Sequence, residues 1–141
     1  MQWNISEDDQ AFRTQVESCS YPIAEFNHQA HLRLAYIYLA TAAPADALDA
    51  MSRTLRQLLD FNQVDASKYH QTLTQAWIYA VLHFMTKTPG CSSSTAFIEA
   101  SPQLLNPQIM ESHFSPEVLF SERARTLAVQ PDRQPIPNYG N

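Results

Sequence analysis

Two stretches of this chain are apolar on nearly every side of a helix, and each opens on histidine. The first runs from Glu25-Phe-Asn-His-Gln-Ala-His31 into Leu32, Leu34, Ala35, Ile37, Tyr38 and Leu39. The second starts Lys68-Tyr-His-Gln-Thr-Leu-Thr-Gln-Ala-Trp77 and continues to Lys87. Along it His70, Thr74, Trp77, Val81 and Phe84 share one face, and Tyr69, Leu73, Ala76, Ala80 and His83 the adjacent one. A helix with no polar face must be wrapped by other helices. The pattern therefore predicts an all-α fold, one helical domain over residues 1–141. It is a helical bundle with two central apolar helices and a proline-rich extended C-terminal tail over 131–141. Two glycines against nine prolines suit helices joined by proline-started turns and fit a many-turned β sandwich poorly. A hydrophobic content of 45% supplies a core for a single domain of 141 residues. Leu34, Ile37, Trp77 and Val81 are the residues expected inside it.

Start and stop signals divide the chain further. Ser6-Glu-Asp-Asp9 is a capping pattern, which places helix one at about Glu7 to Ser18, ended by Cys-Ser-Tyr-Pro. Asn27 is a good N-cap for helix two and puts His28 in its first turn. Pro44 suits the first turn of helix three, which runs to about Phe61. Asp65 and Ser67 are possible caps for helix four, expected over about Lys68 to Lys87. Shorter helices follow at Thr95–Ala100, after Asn106-Pro107 up to about His113-Phe114, after Ser115, and from Ser121 to about Val129. From Pro131 the prolines forbid helix.

The formal charge is −5 and no basic run exists, which argues against nucleic acid as a partner. The N-terminus is acidic, without the apolar core of a signal peptide. Arg33 interrupts the longest apolar run, so no membrane-spanning stretch is expected. Cys19 and Cys91 lack metal-site spacing, and a cytoplasmic, reduced setting is the expectation. Charged residues make up only 16%, which leaves surface for a protein partner or a second copy of the chain to cover.

Three pieces of the chain resemble a family of small, uncharacterised all-helical bacterial proteins. They are Phe26-x-His28-x-x-His31-Leu32-x-Leu34-Ala35-x-x-Tyr38-Leu39, Lys68-Tyr69-His70-x-Thr72-x-Thr74-x-x-Trp77, and Leu119-Phe120-Ser121-x-x-Ala124-Arg125 followed by Pro131-Asp132. The resemblance covers roughly Phe26 to Pro137 and implies a shared helical fold. It implies no activity. Where this chain has Gln71, the family more often has Glu.

The candidate site follows from topology. Short connections make helices two, three and four alternate in direction, so helices two and four run parallel with their first turns together. His28 and His31 share a helix face, and His70 stands in the first turn of helix four. Three imidazoles at one end of a bundle suit a divalent metal ion, Zn²⁺ ahead of iron or another metal. Glu25, Asp65 or His113 are candidates to complete the coordination. Glu25-x-x-His28 matches a single Glu-x-x-His unit, so a mononuclear site ranks above a di-iron one. Glu25 and Tyr69 are the candidate acid–base or orienting groups for a small-molecule substrate, should the site be enzymatic. The bland reading makes these histidines capping or hydrogen-bonded residues, and Tyr69, Thr72 and Thr74 core or helix-surface residues. The alternative function is a non-catalytic helical module that binds a partner protein or an apolar small ligand.

Overall fold

A computed structural model describes residues 3–136; the last part of the expected tail, 137–141, lies outside the described residues. Among these residues the regular structure is entirely helical. Helix α1 spans Glu7–Glu17, α2 His28–Thr41, α3 Pro44–Phe61, α4 Gln71–Thr86, α5 Ser94–Ala100, α6 Pro116–Leu119 and α7 Glu122–Thr126. No described helix is long and apolar enough to cross a membrane.

The expected caps form. Ser6 and Asp9 make a reciprocal capping box at α1, Asn27 accepts from Ala30 N at α2, and Pro44 opens α3. Two helix ends carried no glycine signal. After α1 and after α3 the chain turns through left-handed residues, Cys19 (φ 63°) and Gln63 (φ 59°). Ser20 N bonds Gln15 O and Cys19 N bonds Val16 O; Val64 N bonds Leu59 O and Gln63 N bonds Asp60 O. Each is a Schellman motif with a side chain where glycine is usual.

Helix α2 is the centre, packed against α1, α3, α4 and α5. Its residues Leu34, Tyr36 and Ile37 are fully buried, as is Val81 of α4. The connection from α2 to α3 is only Ala42-Ala43, so α3 doubles back and α4 returns parallel to α2. At one end, the His28 ring of α2 meets the Trp77 ring of α4 at 4.6 Å. At the other, Tyr36 Oη donates to Asn4 O (2.8 Å) while Trp3 Nε1 donates to Met85 O (2.9 Å). Trp77 itself is only half-buried.

Two expectations need correction. Helix α4 does not begin at Lys68: Ala66–Lys68 is a separate 3-10 turn, Tyr69 and His70 are extended, and His70 is the N-cap. The last helix ends at Thr126 rather than near Val129, because Thr72 of α4 captures the chain beyond it. Thr72 Oγ1 donates to Leu127 O (2.7 Å) and accepts from Val129 N (3.0 Å). The extended segment then crosses the bundle, held by Arg133 N on His113 O and Gln134 N on Ser112 O.

Arg33, the charge inside the apolar run, is paired. Its Nε lies 3.2 Å from Asp9 Oδ1 and 3.1 Å from Ser94 Oγ, with the guanidinium 4.4 Å from the Phe12 ring centroid. Asp9 also accepts from Ser94 N and Oγ, so one carboxylate ties α1, α2 and α5 together. Burial opposes its charge, but the hydrogen bonds from Ser94, Ser6 and Arg33 outweigh burial and hold its pKa below the ordinary value.

Candidate functional site

Between α2, α3 and α4 lies a cavity of about 340 Å³. Met51, Leu55 and Leu58 form its α3 wall, and Leu73, Trp77 and Ile78 its α4 wall. Phe26 and Ile23 close it from the turn before α2. Its polar lining consists of His31, Lys68, Tyr69, His70 and Thr74. The parallel order of α2 and α4 thus brings His31 and His70 to the same cavity, but His28, the third histidine expected there, is not in its lining.

What the three histidines do there differs. His70 uses both ring nitrogens on the backbone. Its Nδ1 accepts from Leu73 N (3.1 Å), which leaves the proton on Nε2, and that group donates to Leu119 O (2.7 Å). Burial lowers its pKa, and the positive charge of Arg125 adds to the effect. His28 turns away from the cavity. Its Nε2 donates to Leu104 O (2.8 Å) and its ring stands edge-on to Trp77. His113 donates Nδ1–H to Gln134 O (2.7 Å). His28, His70 and His113 therefore fasten the irregular C-terminal half to itself and to the bundle through carbonyl oxygens.

Of His28, His31 and His70, His31 is the one with no hydrogen-bond partner on either ring nitrogen among the described residues. It packs 4.5 Å from the Phe26 ring and opens on the cavity. Burial, with a smaller contribution from nearby His28, pushes its pKa down to about 4. At neutral pH it is an uncharged imidazole in an apolar wall.

Of the other expected participants, Glu25 and Asp65 lie outside the cavity, whereas Tyr69 and Thr74 line it with their hydroxyls bonded within the protein. Glu25 is exposed and lines a separate polar cleft with Asn27, Arg33 and Ser94. Asp65 is exposed and accepts from Ser67 N (2.9 Å), capping the 3-10 turn. Tyr69 is buried, its hydroxyl donating to Gln71 Oε1 (2.9 Å) and sharing a hydrogen bond with the Ser52 hydroxyl (2.8 Å) beneath the Arg56 guanidinium. Thr74 donates to His70 O (2.8 Å). Among the described residues, no group of three or more His, Cys, Asp or Glu side chains is placed to hold a metal ion. The physical reason is that both nitrogens of His70 are used, one capping α4 and one on Leu119 O, while His28 is outside the cavity lining with its Nε2 on Leu104 O.

Sequence reasoning missed the cavity itself. Its walls are ordinary leucines, methionine and isoleucine at helical spacing, the same signal that a filled core gives. Compared with protein-family models, with curated proteins and with solved structures, the chain matches none. The family resemblance therefore rests on the motif residues alone.

Proposed function

We propose that this protein is a non-catalytic helical module that binds an apolar small ligand in the cavity between α2, α3 and α4. One observation carries the reading: a volume of about 340 Å³ walled by aliphatic and aromatic side chains, with a single uncommitted imidazole, His31, facing it. Such a site resembles small-molecule pockets, which are mostly apolar with few polar groups for orientation. Low charge content on the whole chain supports the same reading. A three-histidine metal site would require His70 to surrender its cap or its bond to Leu119 and His28 to turn into the cavity, so the metal reading ranks second.

Titration with decanol, followed by calorimetry and by the combined fluorescence of Trp3 and Trp77, tests the proposal. Saturable binding is expected in the native protein. A Leu73→Trp variant, with a larger side chain in the half-buried wall, should lose it while keeping its helical circular dichroism. Absence of saturable binding to the native protein, together with a stoichiometric metal found by elemental analysis, would reverse the ranking.

A further inference from the structure

Among the described residues lining this cavity one side chain carries a formal charge, and it is a cation. Lys68 is exposed yet lines the cavity, which places its ammonium at the mouth. A second cleft adjoins the first through the shared residues Leu59 and Tyr69, and it carries Arg56 and Arg125 against Asp60 and Glu122. The ion pairs among the described residues are Arg13–Glu17 and Arg33–Asp9, so neither Lys68 in the cavity lining nor Arg56 and Arg125 in the adjoining cleft is in a direct ion pair. Arg56 lies over the Tyr69 ring at 4.6 Å, and Arg125 donates to Ser67 O at 3.1 Å. Both are therefore held in the adjoining cleft by neutral groups. In the adjoining cleft Asp60 and Glu122 match the two arginines in number, and Asp65 stands three residues before Lys68, so the distinguishing feature is narrower: among the described residues lining the cavity, Lys68 is the one lysine, arginine or acidic side chain.

We propose that the ligand is a single-chain amphiphile with an anionic head, a carboxylate such as that of a medium-chain fatty acid. The chain lies in the cavity and the head beside Lys68. This rests on the reading of the cavity as an apolar ligand site. The apolar walls reward each added methylene, and Lys68 discriminates the head. A neutral His31 suits this division, since an uncharged imidazole lets the hydrocarbon enter without a buried charge.

The test compares three probes of equal chain length below their micelle concentrations: decanoate, decanol and decyltrimethylammonium. Tryptophan fluorescence and calorimetry both serve as readouts. Decanoate should bind tightest and the cation weakest. Across hexanoate, octanoate and decanoate, affinity should rise by about fourfold per methylene until the cavity is full. Lys68→Met should weaken decanoate about two- to fivefold and leave decanol unchanged. Lys68→Glu should weaken decanoate further, and added salt should reduce the difference between the native protein and Lys68→Met. Lys68 is exposed and outside the core, so both variants should fold. Equal binding of decanoate and decanol, or a Lys68→Glu protein that binds decanoate as well as the native one, would overturn the anionic head and leave the cavity reading intact. Failure of all three probes to bind would overturn the cavity reading, and this proposal with it.

Discussion

Acidification should destabilise this protein through His31 in particular. In the unfolded chain an imidazole titrates at about 6.5; in the fold, burial among Phe26 and the cavity walls pushes His31 to about 4. Between those values the unfolded chain takes up a proton that the folded chain refuses. Stability is therefore full above the unfolded pKa and falls as pH drops through the window toward 4. The whole displacement corresponds to roughly 3 kcal/mol, and about 2 kcal/mol of it should be lost between pH 7 and pH 5. His70 and His83 are shifted the same way, both chiefly by burial, so the native protein's total slope is steeper than His31 alone would give. The informative quantity is therefore a difference. Urea unfolding of the native protein and of His31→Leu at the two pH values isolates the His31 contribution. The variant should lose about 2 kcal/mol less on acidification than the native protein does. Slopes that agree within roughly 0.5 kcal/mol would show that His31 is not a buried neutral imidazole, and would refute the account of the cavity wall.

Other substitutions test separate parts of the fold. Gln63→Gly should raise stability by about 1 kcal/mol, since glycine removes the left-handed penalty at the end of α3; a urea midpoint that moves down would contradict the Schellman assignment. His70→Ala should cost about 2 kcal/mol, from the lost cap and the lost bond to Leu119, whereas His70→Asn should recover the cap's share in the same unfolding assay. Asp9→Ala leaves Arg33 and Ser94 without their shared acceptor and should cost roughly 3–5 kcal/mol; a loss under about 1 kcal/mol would mean that the pair is solvated. Ser101 is buried and its hydroxyl has no hydrogen-bond partner among the described residues. Ser101→Ala should therefore be neutral or stabilising by up to about 1 kcal/mol in thermal unfolding.

Local chemistry was legible in the sequence. Ser6 with Asp9, Asn27 and Pro44 each announced a helix start, because a cap depends only on residues three or four positions away. The all-round apolar pattern of α2 and α4 announced a central pair, because such a helix has no stable place at a surface. The antiparallel α2–α3 pair followed from the short turn at Ala42-Ala43, whereas the nine residues 62–70 between α3 and α4 are longer than the short connection expected, and packing decided the direction of α4. The helix ends at Cys19 and Gln63 were less legible, since the left-handed turns there lack the glycine that signals them.

Tertiary structure alone decided the role of each histidine. An imidazole can cap a helix, hold a carbonyl, bind an ion or face a cavity, and its neighbours in sequence do not choose among these. Leu104 and Leu119, 76 and 49 residues away, choose for His28 and His70 by presenting carbonyl oxygens at 2.8 and 2.7 Å. His31 receives no such partner and is left facing the cavity. The cavity is equally invisible from the chain, because a hollow between helices and a filled core are written with the same leucines, and only the distance between α2, α3 and α4 separates them. Arg33 shows the same limit from the other side. Its charge read as an interruption of an apolar run, and only the fold supplied Asp9 and Ser94 to neutralise it inside.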